Sequence, residues 1–567
     1  MAEKTKKSLG EQLVEKGLLQ PIQLEKAEKE ALKAGEPLRK VLLKLGFVSE
    51  DVLMTHLADE LNIPFISLSN FIIMPEVVSL VPEVLARKYT LIPIFRVGDS
   101  ISVAMADPLN IFATDELKLK TKLDIETCLA PEEEIKNAIN QYYSVSDDMG
   151  KMMQSLENEI GNVAAEAAGG ETEVKKLESL VEEAPVIKLV NMLFLEAARQ
   201  GASDIHIEPE ETFLRVRYRV DGILHEVSTI PRKLQPAVIS RIKILSSMDI
   251  AERRIPQDGR IQVRIGPKQI DMRVSTVPTV YGENVVIRLL DTSQMTVRLS
   301  DLGLAPENIE IYGKLIRFPY GIILITGPTG SGKTTTLYAS LNQINDVGKN
   351  IITIEDPVEY RLPMIRQIQV NNKVELTFAS GLRSILRQDP DVVMVGEMRD
   401  EETARIAIQA ALTGHLVFST VHTNDAASAV TRLIDMGIEP FLITSSVIGL
   451  VAQRLIRRLC KECKAPYKAS KAELETLGIK DANAEITLYN PVGCEHCRKM
   501  GFKGRIAIHE VLVPDNEVRR LTIQRASSDE IKRYAIAQGM KNLVHDGLEK
   551  AKAGLTSLEE VLRIIQD

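Results

Sequence analysis

A glycine-rich segment that joins an apolar run to a helical pattern constrains this chain most. The sequence reads GIILITGPTGSGKTTTLYASL, in which apolar residues 322–325 precede Gly327 and, four residues later, Gly332-Lys333-Thr334. This P-loop pattern predicts a turn between a strand and a helix. Its glycines let backbone N–H groups converge on phosphate oxygens, the helix N-terminus favours negative charge, and the lysine neutralises terminal phosphates. We therefore predict a nucleotide-binding loop, with Thr334 as a Mg²⁺ ligand, formed by Gly327, Pro328, Thr329, Gly330, Ser331, Gly332, Lys333, Thr334 and Thr335.

Length and charge limit the class of protein. The 567 residues exceed the size at which one hydrophobic core stops growing, so we expect three or more domains. The net charge of −8 gives no general attraction to phosphate backbones, so nucleic acid is not an expected partner. The first residues, MAEKTKKSLGEQ, contain no apolar core of a signal peptide, and no apolar run has the length to cross a bilayer. We expect a cytoplasmic protein.

The amino-terminal region, residues 1–145, contains an internal repeat at an offset of 29 residues. Each copy has apolar residues at helical spacing, a glycine that can end a helix, and a second helical segment. Two helical hairpins are therefore predicted, followed by a small α/β module over residues 65–143. The matched positions are Leu9, Leu13, Gly17 and Leu24 in the first copy and Leu38, Leu42, Gly46 and Leu53 in the second.

Residues 146–184 are predicted to form a flexible linker, because acidic residues dominate this segment and it contains little apolar material. An α+β domain is predicted for residues 185–295. It begins with a helix between Pro185 and Gly201 and continues with FLRVRYRV, whose alternation and following Asp-Gly turn predict a β-hairpin. From about residue 300 to 567, apolar strands alternate with helices, which indicates a parallel α/β sheet.

Acidic residues follow two of the predicted strands of this sheet. Glu355 and Glu359 lie directly after the apolar run 351–354, and Glu397 follows the run 392–395. Such positions at the carboxyl ends of strands are suited to acids that act near a metal and an attacking water. The second strand resembles a Walker B strand, except that Gly396 stands where aspartate is usual.

Three further segments carry a family resemblance: ITIEDPVEY, VVMVGEMRD and LTGHLVFSTVHTNDA. Together with the P-loop they resemble the bacterial ATPases of type II secretion and type IV pili over residues 185–567. The resemblance implies an α/β fold with a RecA-like P-loop ATPase domain, preceded by a smaller α+β domain and a helical and α/β N-terminal domain. It also implies acidic residues that activate water or associate with Mg²⁺, namely Glu355, Glu359 and Glu397, and phosphate sensors at His415 and His422.

The resemblance extends to SDIHIEP and to the arginine-rich strands of the α+β domain. In the family such arginines reach the nucleotide and compensate the charge that develops in phosphoryl transfer. The corresponding candidates in this chain are Arg273, Arg288, Arg217 and Arg219.

Four of the five cysteines form two Cys-x-x-Cys pairs within residues 455–505. Two such pairs can surround one tetrahedral ion, and a closed set of four thiolates is typical of a structural Zn²⁺ site. We predict this site at Cys460, Cys463, Cys494 and Cys497. The retraction ATPases of pili resemble the chain less, because they generally lack this insertion and the long amino-terminal region.

We therefore expect a homo-hexameric motor that hydrolyses ATP for type IV pilus assembly. It would associate peripherally with the inner membrane by binding a platform protein there. Type II secretion is the alternative within the family. A nucleic-acid translocase is the alternative of another class, but the basic channel that it requires is not evident in the sequence.

The amino-terminal repeat also resembles a tandem motif that binds cyclic di-GMP in some members. Ser8 and Arg39 depart from that motif, where arginine and glycine are preferred.

Overall fold

The structure is a computed structural model. In it the chain forms two compact units, Met1–Ser293 and Gln294–Asp567. The structure describes residues 10, 13–14, 16–34, 38–48, 52, 55–56, 58–59, 63–68, 71–143, 184–291, 297–476 and 485–566. The predicted acidic linker 146–184 lies outside the described residues except for Ala184, and so does Ser8. The predicted division of the chain at residues 145, 185 and 300 stays a prediction.

The repeat of the amino-terminal region has a structural counterpart. In the first copy the Leu18 N–H donates to the Leu13 carbonyl oxygen at 2.9 Å, and in the second the Phe47 N–H donates to that of Leu42 at 3.1 Å. Both copies turn through a glycine with positive φ, as predicted for the helix ends. The described helices here are α1 (Pro21–Ala34) and α2 (Leu38–Lys44), and the rest of the two predicted hairpins falls largely outside the described residues.

The following module contains a three-stranded sheet, as the mixed pattern of residues 65–143 predicted. Its strands β2 and β3 are antiparallel, and β3 pairs with β4 in parallel. Helices pack on this sheet around a core that includes Leu91, Ile101 and Leu117. The elements are β1 (Phe71–Ile72), α3 (Pro75–Val78), α4 (Glu83–Tyr89), β2 (Leu91–Val97), β3 (Ser100–Met105), α5 (Ile111–Thr121), β4 (Asp124–Leu129) and α6 (Glu132–Tyr143).

A seven-stranded sheet completes the first unit, in the order β1-β8-β9-β10-β5-β6-β7. The predicted hairpin is present, since β6 and β7 pair around Asp221 and Gly222, both of which have positive φ. Strand β1 from the preceding module pairs with β8 in parallel, so this sheet draws on more than residues 185–295. The elements are α7 (Ala184–Gln200), β5 (Asp204–Pro209), β6 (Phe213–Val220), β7 (Ile223–Pro231), α8 (Gln235–Leu245), β8 (Gln257–Ile265), β9 (Lys268–Thr279) and β10 (Gly282–Asp291).

The second unit is built on a sheet in the order β13-β12-β14-β15-β11-β16-β19. Six of its strands run parallel, as predicted, and β19 is antiparallel at the edge. Apolar strands such as β11 are buried throughout because helices cover both faces of the sheet. The elements up to this point are α9 (Pro306–Leu315), β11 (Gly321–Thr326), α10 (Lys333–Ile344), β12 (Ile351–Glu355), β13 (Arg366–Gln369), α11 (Phe378–Ile385), β14 (Val392–Val395), α12 (Glu401–Leu412), β15 (Leu416–Val421), α13 (Ala426–Asp435), α14 (Pro440–Ser446) and β16 (Val447–Leu459).

The insertion that carries the cysteines lies between β16 and the edge strand β19. It includes a small antiparallel pair, β17 and β18. In the described part of the chain, four helices follow β19. The elements are β17 (Ala465–Lys468), α15 (Lys471–Thr476), β18 (Thr487–Asn490), β19 (Phe502–Leu512), α16 (Asn516–Ile523), α17 (Ser528–Ala537), α18 (Leu543–Lys552) and α19 (Leu558–Gln566).

Candidate functional site: a nucleotide loop and a four-cysteine cluster

The loop between β11 and α10 turns through glycines in backbone conformations that other residues rarely adopt. Gly327, Gly330 and Gly332 have φ values of 147°, 80° and 89°, where an L side chain is strained. Space is also restricted, because a Cβ atom on Gly327 would lie 2.4 Å from the carbonyl oxygen of Gln453. Glycine at these positions therefore allows the loop to fold tightly over the end of the sheet.

Lys333 is the first residue of α10, and its amine turns back over the loop. Its Nζ atom donates to the carbonyl oxygens of Gly327 at 2.7 Å and Pro328 at 3.0 Å. Burial lowers the pKa of Lys333 to about 8, Glu397 opposes this shift, and Arg454 adds to it. An amine that has lost part of its hydration is stabilised by a nearby anion, so this position suits the neutralisation of phosphate oxygens.

Glu355 is the last residue of β12 and Glu359 follows the strand, and the two acids have different surroundings. The Glu355 side chain is 3% exposed and accepts hydrogen bonds from Tyr338, from Thr353 at 2.6 Å and from Gln367 at 3.1 Å. Burial raises the pKa of Glu355 in spite of these donors. The Glu359 N–H donates to the Tyr338 hydroxyl at 3.3 Å. Since Tyr338 belongs to α10, this geometry favours a role for Glu355 in holding its loop on the nucleotide-loop helix, while Glu359 stays a predicted water-activating acid.

Glu397 is the acid that meets other predicted site residues. Its carboxylate lies 3.2 Å from His422 Nε2 and 2.5 Å from Arg399, and its side chain is 13% exposed. Glu397 is also close enough to Lys333 to influence its pKa. The structure thus brings the second acidic segment, one predicted histidine and the loop lysine together, and Mg²⁺ ligation by Thr334 and Glu397 stays a prediction.

The unusual glycine before Glu397 has a steric explanation. The Gly396 N–H donates to the Ile354 carbonyl oxygen at 2.8 Å, and its own carbonyl accepts from the Thr420 hydroxyl at 2.8 Å. A Cβ atom on Gly396 would lie 3.3 Å from Glu355 Cα and 3.3 Å from the Ile354 oxygen. These distances are tighter than ordinary van der Waals contact, so glycine at this position allows the two acidic segments to approach each other closely.

The two predicted histidines lie at opposite ends of β15. The His415 carbonyl accepts from the N–H of Gly321, at the start of β11, and His415 Nδ1 lies 2.8 Å from the Ala410 carbonyl oxygen. His422 follows the end of β15 and reaches Glu397. Since a strand rises by about 3.3 Å per residue, the two are roughly 20 Å apart along the sheet. The structure therefore does not bring His415 to the nucleotide loop.

Arginines of the first unit form a row across its sheet. Cross-strand pairing places Arg260 opposite Arg273, Arg273 opposite Arg288, Arg288 opposite Asp204, and Asp204 opposite Arg219. The Asp204 carboxylate lies 3.0 Å from Arg288 and 3.6 Å from Arg219. Arg260, Arg273 and Arg288 line a cavity of about 430 Å³ together with Asp204. Like charges on adjacent strands are unfavourable, so three neighbouring arginines suit an anionic ligand.

The fourth predicted arginine belongs to the neighbouring row. Arg217 forms an ion pair with Glu208 at 2.5 Å, and this contact raises the pKa of Arg217. The charge of Arg217 is thus balanced by Glu208 within the sheet, whereas Arg219 lies in the row described above. Arg260 was not among the predicted residues, although its alternating position in RIQVRI could have identified it.

The four cysteines of the insertion converge on one point. Their sulfur atoms lie within 4.8 Å of one another, with separations of 3.9 Å for Cys460 and Cys494, 3.6 Å for Cys463 and Cys497, and 3.7 Å for Cys494 and Cys497. A zinc ion with four Zn–S bonds of about 2.3 Å requires sulfur separations of about 3.8 Å. The cluster therefore has the dimensions of a closed structural Zn²⁺ site.

Backbone donors support this assignment. The N–H groups of Cys494 and Gly501 donate to the Cys497 sulfur at 3.1 and 3.2 Å. Burial opposes ionisation of Cys497, but these donors, together with the Cys463 and Cys494 side chains, lower its pKa to about 6. A thiolate is the form that binds zinc. His496, between the last pair, lies 2.9 Å from the Lys503 amine and is not in the cluster.

Two polar side chains of β16 lie near the loop and were not among the predicted site residues. Gln453 contacts the loop and α10, and Arg454 donates to Asn424 at 2.9 Å in the segment after His422. Both interrupt the apolar run VIGLVAQRLI. A polar pair inside a buried strand is the signal that could have identified them.

Comparisons with known proteins agree with these features. The family described as "Type II/IV secretion system protein" matches residues 179–563, and the MshEN domain matches residues 61–149. The type IV pilus assembly ATPase PilB of Myxococcus xanthus is 45% identical over 558 residues, 98% of each chain. Type II secretion system protein E of Xanthomonas campestris pv. campestris is 43% identical over 565 residues, also 98% of each chain.

Among solved structures, the ATPase DotB of Yersinia pseudotuberculosis matches with a TM-score of 0.50 and 22% identity, covering 67% of this chain and 93% of that one. This match supports the predicted RecA-like fold. Among the helices of the described residues, none combines the length and apolarity that crossing a bilayer requires. The matched family model and the two relatives, each aligned over 98% of both chains, are consistent with a nucleotide-binding loop at residues 327–335. The chain belongs to the type II/IV secretion system protein family and is an ATPase.

Proposed function

We propose that this ATPase is the motor of type IV pilus assembly. The supporting observation is the similarity to the Myxococcus xanthus pilus assembly ATPase, which extends over 98% of both chains and so includes the amino-terminal region. Type II secretion is the second candidate, because the Xanthomonas campestris protein is nearly as similar over the same extent. Both candidates require the same hydrolytic site.

In the proposed mechanism the loop backbone and Lys333 bind the phosphates of ATP. Thr334 and Glu397 would hold Mg²⁺, which neutralises charge on the phosphate oxygens. Glu359 would orient or deprotonate the attacking water, and His422, positioned by Glu397 at 3.2 Å, would respond to the terminal phosphate. The row of arginines would compensate charge that develops during transfer.

We further propose that the protein works as a homo-hexamer in the cytoplasm, at the inner membrane, on a platform protein of the pilus machine. Hydrolysis would then change the arrangement of domains within the ring and transmit force to that partner. The row of arginines has three cations on adjacent strands and would offer an anion-binding surface in each copy. Sedimentation in the presence of a nonhydrolysable ATP analogue tests the hexamer, and a monomer at micromolar concentration would contradict it.

The experiment that tests the function is deletion of the gene and complementation. Wild-type protein should restore surface pili, whereas Lys333→Ala should not, because it removes the charge that binds the phosphates. Lys349→Ala, an exposed lysine in the same unit, serves as the matched control. Loss of secreted enzymes with normal pili would instead favour type II secretion, and a deletion without either defect would refute both candidates.

Cyclic di-GMP is a proposed ligand of the amino-terminal region. The matching MshEN domain covers residues 61–149, directly after the tandem repeat. Ser8 and the Arg39 side chain lie outside the described residues. Calorimetric titration of the full chain with cyclic di-GMP tests the proposal, and heats no larger than those of dilution would exclude it.

A further inference from the structure

We propose that Gln453 of β16 is a positioning residue that fixes the nucleotide loop onto the sheet and keeps Lys333 and Thr334 in the conformation that binds ATP. This inference rests on the proposed nucleotide site and assigns a function to a residue outside the P-loop pattern. Gln453 is 122 residues from Ser331 in the chain. It enters the site because β16 is the parallel neighbour of β11, with Ala452 opposite Thr326.

The Gln453 amide bonds both sides of the segment that carries the phosphate-binding residues. Its Nε2 donates to the Ser331 carbonyl oxygen at 2.8 Å, and its Oε1 accepts from the Thr336 hydroxyl at 2.6 Å. The four residues between these two anchors include Lys333 and Thr334. One side chain therefore fixes the end of the loop and the first turn of α10 at the same time.

The direction of these two bonds is determined by their chemistry. A carbonyl oxygen can only accept, so the amide nitrogen must face Ser331, which leaves the amide oxygen for the Thr336 hydroxyl. All three residues are buried, with exposures of 2% for Gln453, 3% for Ser331 and 0% for Thr336. Buried polar groups that lose their partner are costly, so the contact holds the loop in one arrangement.

Two of the loop glycines are packed against the same residue. A Cβ atom on Gly332 would lie 2.7 Å from Gln453 Nε2, and one on Gly327 would lie 2.4 Å from the Gln453 carbonyl oxygen. The loop thus approaches Gln453 at its beginning and at its end. This explains why the β16 side chain, and not only the loop sequence, determines the position of the backbone N–H groups.

The test replaces Gln453 by methionine, which has a similar length and no hydrogen-bonding amide. Without the anchors the loop spends a smaller fraction of its time in the binding conformation. The apparent affinity for ATP falls in proportion to that fraction. Loss of two buried hydrogen bonds predicts a rise of about tenfold to a hundredfold in KM for ATP. Because saturating ATP selects the competent loop, kcat should stay within about twofold of wild type. Equilibrium titration with a fluorescent ATP analogue should show the same loss.

Thr336→Val provides a second variant, in case Gln453→Met does not fold. It removes one of the two anchors at nearly constant volume, so it should raise KM less, and its effect should be much smaller in the Gln453→Met background. Gln235→Met is the matched control, because Gln235 is a buried glutamine of the first unit that donates to the Tyr281 carbonyl oxygen. Its KM for ATP should equal that of wild type.

The outcomes separate this inference from the proposed function. If Lys333→Ala is inactive while Gln453→Met and Thr336→Val keep the wild-type KM, the positioning role is wrong and the nucleotide site stands. If Lys333→Ala hydrolyses ATP normally, the site itself is wrong and the inference falls with it. A merely structural role for Gln453 would lower Tm without the split between KM and kcat, and that result would also overturn the proposal.

Discussion

Removal of the metal from the four-cysteine cluster should lower the stability of the second unit without changing its fold. The cluster joins the end of β16 to the start of β19, and Cys460 and Cys494 are 34 residues apart. A cross-link that closes a loop of this length restricts the unfolded chain by about 4 kcal/mol. A domain of more than 150 residues loses about 2–4 °C in Tm per kcal/mol. We therefore expect removal of zinc to lower Tm by roughly 10 °C.

The assay is thermal unfolding of purified protein before and after treatment with a zinc chelator, together with metal analysis. Untreated protein should contain about one zinc per chain, since four thiolates form one closed site. Cys463→Ser should reproduce the loss of zinc and of thermal stability. Cys128→Ser is the matched control, because Cys128 is buried in the first unit and lies outside the cluster.

One result would refute this reasoning directly. If protein that is shown to be metal-free unfolds at the temperature of the untreated sample, the cluster does not cross-link the two strands. Protein purified without zinc, with all four thiols reactive to alkylation, would show that the sulfur arrangement does not bind the metal under these conditions.

Three further outcomes follow from the geometry of the second unit. Lys333→Ala should reduce ATP hydrolysis to background in a phosphate-release assay, and wild-type turnover would contradict the site. Glu397→Gln should retain nucleotide binding but hydrolyse at least about a hundredfold more slowly, because it loses a charge beside His422 and the metal position; an unchanged kcat would remove Glu397 from the mechanism. Burial lowers the pKa of His509 to about 3, so folding stability should fall as pH decreases from about 6.5 towards 3, by up to about 1.4 kcal/mol per pH unit. Urea unfolding of wild type and His509→Leu across this range should show a steeper pH dependence for wild type, and equal slopes would be inconsistent with a neutral buried imidazole.

Several site residues could not be separated by sequence pattern. Glu355 ends β12 and Glu359 lies four residues later, but only the packing of Tyr338 against that segment shows that Glu355 is enclosed by three donors. Likewise, the arginines of the first unit alternate along individual strands, and it is strand pairing that aligns Arg260, Arg273 and Arg288 in one row. Neighbours on adjacent strands are fixed by register, which local periodicity does not contain.

The location of His415 follows from the direction of β15. Ligands bind at the carboxyl ends of parallel strands, and His415 precedes β15 whereas His422 follows it. The family motif joins both histidines, but the direction of the strand places only His422 beside Glu397. Gly396 shows the opposite case, because its departure from the usual Walker B pattern is explained only by the close approach of β12.

By itself the sequence determined the features whose parts are close together in the chain: the loop from Gly327 to Thr335, the hairpin around Asp221, and the two Cys-x-x-Cys pairs. In each of these, covalent connection limits the geometry, so residue type and spacing are sufficient. Tertiary structure alone decided that Gln453 holds the loop, that Arg260, Arg273 and Arg288 align in one row, and that His422 but not His415 reaches Glu397. These contacts join separate segments of the chain, and their formation depends on strand order and on the packing of helices over the sheet.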